Sequence, residues 1–289
     1  MNLPFYKLRI GRNDTILVNL MGDALPDEEI LPVLVRSMCR RHRGIGANGL
    51  AVLLDHPEAG ADLRYFSPRG EEIQSFFDPL LGAARFLFDS GFAGTRALTI
   101  STPGGIKSIE AIDSANFRIS LSPPLDPEGN KLKEMISTDT GSYLSLDGKT
   151  YPVTPVVIVQ LFGALFFDSD PKKGKKKMGK ALAKAGLFAK EFHPLFIQLY
   201  SDDDISFWPW WDSGYGLQET SLAAGAAAVA AAIRGFTGRS LMTRCGKDDF
   251  YIEWKEPDGE LLLTGGAKYV FTGDYYFDEE DFYSGGTTS

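Results

Sequence analysis

Cys39-Arg40-Arg41-His42-Arg43-Gly44-Ile45-Gly46-Ala47-Asn48-Gly49-Leu50 carries its glycines in the spacing G-x-G-x-x-G. A dinucleotide-binding loop with that spacing needs a strand before it and a helix after it. Here Arg-rich sequence precedes the glycines and an apolar run, Leu50 to Leu54, follows them. The stretch therefore reads as a turn feeding a strand, and no P-loop occurs elsewhere.

Working outward, Phe5 to Ile10 and Thr15 to Leu20 read as strands joined by a Gly11-Arg12-Asn13-Asp14 turn. A helix is expected from Pro26 to about Arg41, and short strands at Leu50 to Leu54 and Leu63 to Phe66. Asp78-Pro79 reads as an N-cap followed by a first helical residue, opening a helix that stops at Gly91. Strands follow at Ala97 to Ser101, Ile106 to Ala111 and Phe117 to Leu121. The proline-rich stretch Ser122 to Pro127 marks a boundary. Beyond it the pattern repeats: a strand region at Tyr151 to Leu161, a helix at Lys176 to Ala185, strands at Leu195 to Tyr200 and Ile205 to Trp211, and an Ala-rich helix at Ser221 to Gly235. Strands at Phe250 to Lys255 and Leu261 to Leu263 close the half. Both halves thus hold a loop leading into one helix apolar nearly all round, which argues for burial on most faces.

The chain has 289 residues, 44% hydrophobic and 24% charged, enough for two ordinary domains with packed cores. A formal charge of −8 argues against nucleic-acid and anionic-membrane partners. The N-terminus lacks the pattern of a signal peptide and no apolar run is long enough to span a bilayer, so the expected location is cytoplasmic. Two cysteines, Cys39 and Cys245, cannot build a disulfide framework, and the three scattered histidines offer no metal site. Lysines crowd Lys172 to Lys190, which reads as a solvated face before it reads as a contact for an acidic partner. The end, Asp274 to Tyr283, mixes acids with aromatic residues and reads equally as a frayed acidic end or as a segment that docks on another surface.

Several segments in order resemble diaminopimelate epimerases. Gly11-Arg12-Asn13-Asp14-Thr15 is similar to the family's G-N-D-F turn, and Cys39 to Leu50 to its C-x-R-x-x-G-I-G-A-D-G-L element. Arg64 to Glu72 resembles R-x-F-N-x-D-G-S-E, and Thr102 to Gly105 the T-x-x-G element. Trp211 to Gly216 resembles W-E-R-G-x-G, and Gly266 to Gly273 the closing G-P-A-x-x-V-F-x-G. The resemblance spans nearly the whole chain. It implies an α/β (α+β) fold of two pseudo-symmetric halves, each a central helix wrapped by a mixed or antiparallel β-sheet. The halves are expected at residues 1–121, with a strand from 266–283 returning to that half, and 122–265. A ligand cleft between them, no cofactor, and a homodimer are also implied.

Inverting an amino-acid α-carbon without a cofactor needs one group to remove a proton and another to deliver one. Cysteine suits this at a helix N-terminus, which lowers its pKa, and the family places one thiol at the start of each central helix. The motif alignment puts Phe76 and Ala224 at those two positions. Pro79 removes a donor N–H from the first helix start. Ser67 stands for a substrate Asn, and Asp212-Ser213 stands for the Glu-Arg pair that holds the charged substrate. Asn13 is retained, and His193 falls near another substrate position. The retained glycines read as scaffold.

Three functions compete. The favoured one is a non-catalytic or repurposed protein binding a small molecule or protein in the cleft, which Phe76, Phe77, Trp208, Trp210 and Trp211 would reline. The alternative is a cofactor-independent isomerase, epimerase or lyase using the carboxylates Asp78 and Glu219 in place of thiols, with His193 or Asp212 assisting. In the structural reading of those acids, Asp78 is an N-cap and Glu219 a first-turn charge. An active diaminopimelate epimerase ranks last, because nothing replaces the two thiols.

Overall fold

The computed structural model describes residues 2–23, 27–92, 96–132, 142–170, 174–185, 187, 191–211, 218–255 and 259–277. In chain order the elements are β1 (Asn2–Ile10), β2 (Asn13–Asn19), α1 (Leu31–Cys39), β3 (Leu50–Leu54), β4 (Ala61–Phe66), α2 (Asp78–Asp89), β5 (Ala97–Ser101), β6 (Lys107–Ala111) and β7 (Asn116–Leu121). A hairpin of β8 (Tyr143–Leu146) and β9 (Lys149–Pro152) precedes β10 (Thr154–Ile158), β11 (Gln160–Phe167), α3 (Lys175–Lys184), β12 (His193–Leu199) and β13 (Asp204–Pro209). Last come α4 (Thr220–Ile233), β14 (Ser240–Cys245), β15 (Asp248–Trp254), β16 (Leu261–Gly266) and β17 (Lys268–Tyr276).

The chain forms two compact units: Met1–Ile119 with Gly216–Gln218 and Gly266–Ser289, and Ser120–Tyr215 with Glu219–Gly265. Their internal plans match step by step. In the first, β1 to β7 pair antiparallel, parallel, antiparallel, parallel, antiparallel and antiparallel. In the second, β10 to β16 pair in that same succession. Helices α1 and α3 lie between the second and third strands of each series, and α2 and α4 between the fourth and fifth. A parallel step needs a crossover long enough to reverse the chain twice, and each helix supplies one. In the first unit β17 pairs antiparallel with the outer side of β1.

Each unit is built around one buried helix. Nine of the twelve residues of α2 are buried, from Asp78 to Leu87, and it packs on β1 to β4. All fourteen residues of α4 are buried, and it packs on the strands β10 to β15. Small side chains bring the neighbouring walls close to α4. A Cβ on Gly225 would stand 2.8 Å from Leu121 Cδ1 and 3.2 Å from both Ile158 Cδ1 and Leu261 Cδ2. A second cluster in the first unit packs α1 through Leu34, Val35 and Met38 on Ile16, Leu50 and Val52. Its counterpart in the second unit sets Met178 and Leu182 of α3 among Leu144, Leu165 and Phe196.

The structure corrects four local expectations. The first helix spans only Leu31–Cys39, because Asp27 to Ile30 form a turn whose Asp27 carbonyl accepts from the Ile30 and Leu31 N–H groups. Pro26 lies outside the described residues. The strand region Tyr151 to Leu161 divides into β9, β10 and the start of β11, folded back at Val159 with φ +62°. A β-branched residue there is strained, and no Gly, Asn or Asp announces the turn. Asp78 is the first residue of α2, not its cap. Phe77 holds the cap position, and no side chain caps it. Glu219 in turn occupies the cap position of α4, again without a side-chain cap bond, rather than its first turn.

Candidate functional site

The heads of α2 and α4 stand at the same step of the two repeated plans, and both carry a buried carboxylate. Asp78 and Glu219 are each 0% exposed. Both are engaged in polar or electrostatic contacts, as are Thr220 and Ser221, also 0% exposed. The helix N-terminus favours negative charge, since its first N–H groups point outward along the axis. The residues just before Asp78 are aromatic. Phe76 and Phe77 are buried, the Phe76 ring lies 5.5 Å from that of Tyr65, and Lys107 Nζ stands 5.9 Å from the centre of Phe77. The head of α4 is instead a buried polar run, Glu219-Thr220-Ser221.

Phe76 and Ala224, the two positions assigned to lost thiols, are not equivalent in the repeats. Phe76 lies two residues before the first residue of α2, whereas Ala224 is the fifth residue of α4. The residue two before α4 is Gln218. No cysteine lies at either helix head. Cys39 ends α1 and Cys245 ends β14, both buried and neither in a disulfide. Burial pushes the Cys39 thiol up to about 12, with the Asp14 charge adding to the rise and Lys7 and Arg41 opposing it.

Asn13 opens a network that sequence reasoning did not assemble. Its Oδ1 accepts from Asn48 Nδ2 at 2.9 Å, and Asn48 Oδ1 accepts from Arg41 Nη2 at 2.6 Å. Arg41 grips Asp14 with both terminal nitrogens, at 2.7 and 3.0 Å. Lys7, 5% exposed, donates to Asp14 Oδ2 at 2.7 Å and to the Gly46 carbonyl. Burial pushes the Asp14 carboxyl up, but hydrogen bonds from Arg41 and Lys7 outweigh it and leave the group below its ordinary value. The glycines of the opening stretch serve this packing. Gly46 takes φ +77°, and a Cβ there would lie 2.7 Å from Arg41 Cα. The stretch follows a helix and precedes β3, as its reading required.

The remaining candidates separate. Ser67 shapes the turn after β4, its Oγ accepting from the Arg69 N–H at 3.3 Å and its N–H donating to Glu71 O at 2.8 Å. His193 begins β12 with its ring 5.8 Å from that of Phe162. Burial lowers its pKa, and Glu191 only partly offsets this. Asp212 and Ser213 lie outside the described residues. Among the described residues no group of His, Cys, Asp and Glu is arranged to hold a metal ion.

No family model matches the chain. A diaminopimelate epimerase of Moorella thermoacetica is 28% identical over 281 residues, covering 96% of this chain and 100% of its own. This chain is a homologue of the diaminopimelate epimerases. The fold recurs in a probable proline racemase from Agrobacterium radiobacter, with a TM-score of 0.66 at 13% identity, covering 99% of this chain and 96% of that one. It recurs again in a phenazine biosynthesis protein of the PhzF family from Bacillus anthracis, with a TM-score of 0.64 at 15% identity, covering 96% and 100%. The chain is thus similar in sequence to proteins named diaminopimelate epimerase, and it shares its mixed α/β fold with the racemase and PhzF-family structures. No helix among the described residues is long and apolar enough to cross a membrane.

Proposed function

We propose that this chain is a diaminopimelate-epimerase homologue that does not carry out epimerisation with thiols and instead binds a different small molecule or a protein partner. One observation carries this reading: the two cysteines of the chain end α1 and β14, and neither is a residue of the α2 or α4 head. A thiol held at about 12 stays protonated at neutral pH and takes no proton from carbon. Phe76, Phe77 and Pro79 near the head of α2 replace polar capacity with apolar surface. Two thiols outside any disulfide suit a reducing compartment, so a cytoplasmic location accompanies the reading. The test is incubation with each diaminopimelate stereoisomer in deuterium oxide, followed by mass spectrometry. No label should enter the α-carbons beyond the protein-free control. Label that disappears in Cys39→Ala or Cys245→Ala overturns the proposal.

A second reading has its own support in Asp78 and Glu219, wholly buried at the heads of the two corresponding helices, one as the first residue of α2 and the other at the cap position of α4. Carboxyl groups shielded from water are suited to proton transfer at carbon. In this reading the chain is a cofactor-independent isomerase of a small carboxylic acid, each carboxylate acting from its own helix head. A screen of such acids for solvent-deuterium uptake, repeated with Asp78→Asn and Glu219→Gln, decides between the two. Uptake lost in both variants supports the carboxylate reading, and uptake unchanged in them removes it.

A further inference from the structure

Helices α1 and α3 hold the same place in the two repeated plans but differ in charge. Helix α1 carries no lysine and a single arginine, Arg36, whereas α3 carries Lys175, Lys176, Lys177, Lys180 and Lys184 and no acid. Lys172, Lys173 and Lys190 lie outside the described residues. The fold therefore does not demand a basic helix at this place, and the arrangement runs against helix electrostatics. Lys175, Lys176 and Lys177 fill the first turn, after a Gly174 cap without a side-chain bond, where the helix end favours negative charge. Lys176, Lys180 and Lys184 recur at intervals of four, and like charges so spaced oppose the helix. Two of the five lysines are answered inside the unit. Lys175 Nζ lies 3.2 Å from Asp170 Oδ1 and 3.6 Å from the centre of the Trp208 ring, and Lys177 Nζ donates to the two Asp147 oxygens at 2.8 and 2.6 Å. Lys176, Lys180 and Lys184 are exposed, and among the described residues none of them has a hydrogen bond or ion pair. They form a row along α3 with steps of about 6 Å. Local rules broken without gain to the fold mark places where function is served.

We propose that the row of Lys176, Lys180 and Lys184 docks an acidic segment of another protein, extended and with a carboxylate at every second residue. Carboxylates so placed stand about 6.6 Å apart on one side of the segment, close to the step of the row. Other polyanions fit less well. Lying on an anionic membrane takes an apolar face beside the basic one. The apolar face of α3 is already used: Met178 and Leu182 are buried in the core cluster, and a Cβ on Gly179 would stand 2.5 Å from the Trp210 ring. Single-stranded nucleic acid takes open aromatic platforms for its bases. Here Lys175 sits over Trp208, and Trp210 packs on Gly179. A formal charge of −8 also repels a long polyanion as a whole, whereas a short acidic segment meets only the row.

The test uses the full chain and reads no activity, so its failure leaves the reading of the α2 and α4 heads untouched. The probe is a fluorescein-labelled peptide of six Glu-Ser repeats, followed by anisotropy at low and physiological salt. Binding should weaken as salt rises. The variant Lys176→Glu/Lys180→Glu/Lys184→Glu should lower the affinity at least tenfold. Lys176→Glu alone should weaken binding yet hold or raise the melting temperature, because it sets an acid in the first turn. A lower melting temperature with unchanged binding would mark a row kept for folding and overturns the proposal. So does a parent that does not bind the peptide, or binding indifferent to the triple variant. Tighter binding of oligothymidylate or phosphatidylserine vesicles through the same lysines overturns the choice of partner. If the triple variant does not fold, carbodiimide coupling of the peptide to the parent decides. Amide bonds mapped to Lys176, Lys180 and Lys184 support the row, and bonds spread over the other exposed lysines remove it.

Discussion

Asp14→Asn tests how the first unit is held together. The change keeps the shape of the side chain and removes its charge, leaving the Lys7 ammonium 5% exposed with the Gly46 carbonyl as its remaining partner. Removing one member of a buried ion pair costs about 3–5 kcal/mol. The Asp14 side chain is 23% exposed, so water screens part of that, and about 2–3 kcal/mol is expected. At about 2–4 °C per kcal/mol for a chain portion of this size, the melting temperature should fall by roughly 5–10 °C. The assay is thermal and urea unfolding by circular dichroism at neutral pH. The pH dependence has a fixed sign. The folded carboxyl of Asp14 lies below its ordinary 3.8, so its contribution is complete above that value and fades as pH falls through the folded value. Asp14→Asn should lack that acid limb. Adding Lys7→Met should recover at least half of the loss, because the stranded charge is then gone. A single-variant loss below about 0.5 kcal/mol, or a double variant no better than the single, refutes the account of a buried charge pair.

Other outcomes follow from neighbouring features. Val159→Gly should raise stability by about 1 kcal/mol, since φ +62° strains a β-branched residue and not glycine, and the urea midpoint reads this directly. Gly225→Val should cost about 1–3 kcal/mol in the same measurement, because its Cβ would press on Leu121, Ile158 and Leu261. Both thiols should resist a thiol reagent at neutral pH until denaturant is added, as Cys39 and Cys245 are 3% and 1% exposed. His193 should make the chain less stable as pH drops below its unfolded value, because burial lowers its folded pKa and the unfolded chain binds the proton first. A His193→Phe variant followed by urea unfolding across that range should show a flatter profile.

Much of the scaffold was legible because its signals are local. Alternation and apolar runs located β3, β12 and β15, and the near-uniform apolarity of Ala223 to Ile233 announced a helix buried on all sides. The turn at Val159 was not legible, because its shape is imposed by the pairing of β10 with β11 against the preference of the residue. The cap at Asp78 was misread for a related reason. Asp-Pro is a strong local signal, yet tertiary packing seats Phe77 at that place and draws the carboxylate one residue into the helix. The Asn13–Asn48 bond and the grip of Arg41 on Asp14 join residues 35 and 27 positions apart, so periodicity carries no trace of them. Only the resemblance had grouped those two segments. The matching succession of strand senses is likewise a property of pairing, invisible until partners are known.

The make-up of α4 has a consequence for how this chain can change. Most buried helices keep one side where a larger residue costs little. Here Gly225 already meets Leu121, Ile158 and Leu261, and all fourteen residues are buried, Ala232 being the most open at 7% exposed. A saturation survey along it should find no tolerant stripe, with substitutions rejected around the full circumference. Drift in this protein is thereby steered toward loops and strand rims, and the slender rod is the part that will still look alike in its distant cousins.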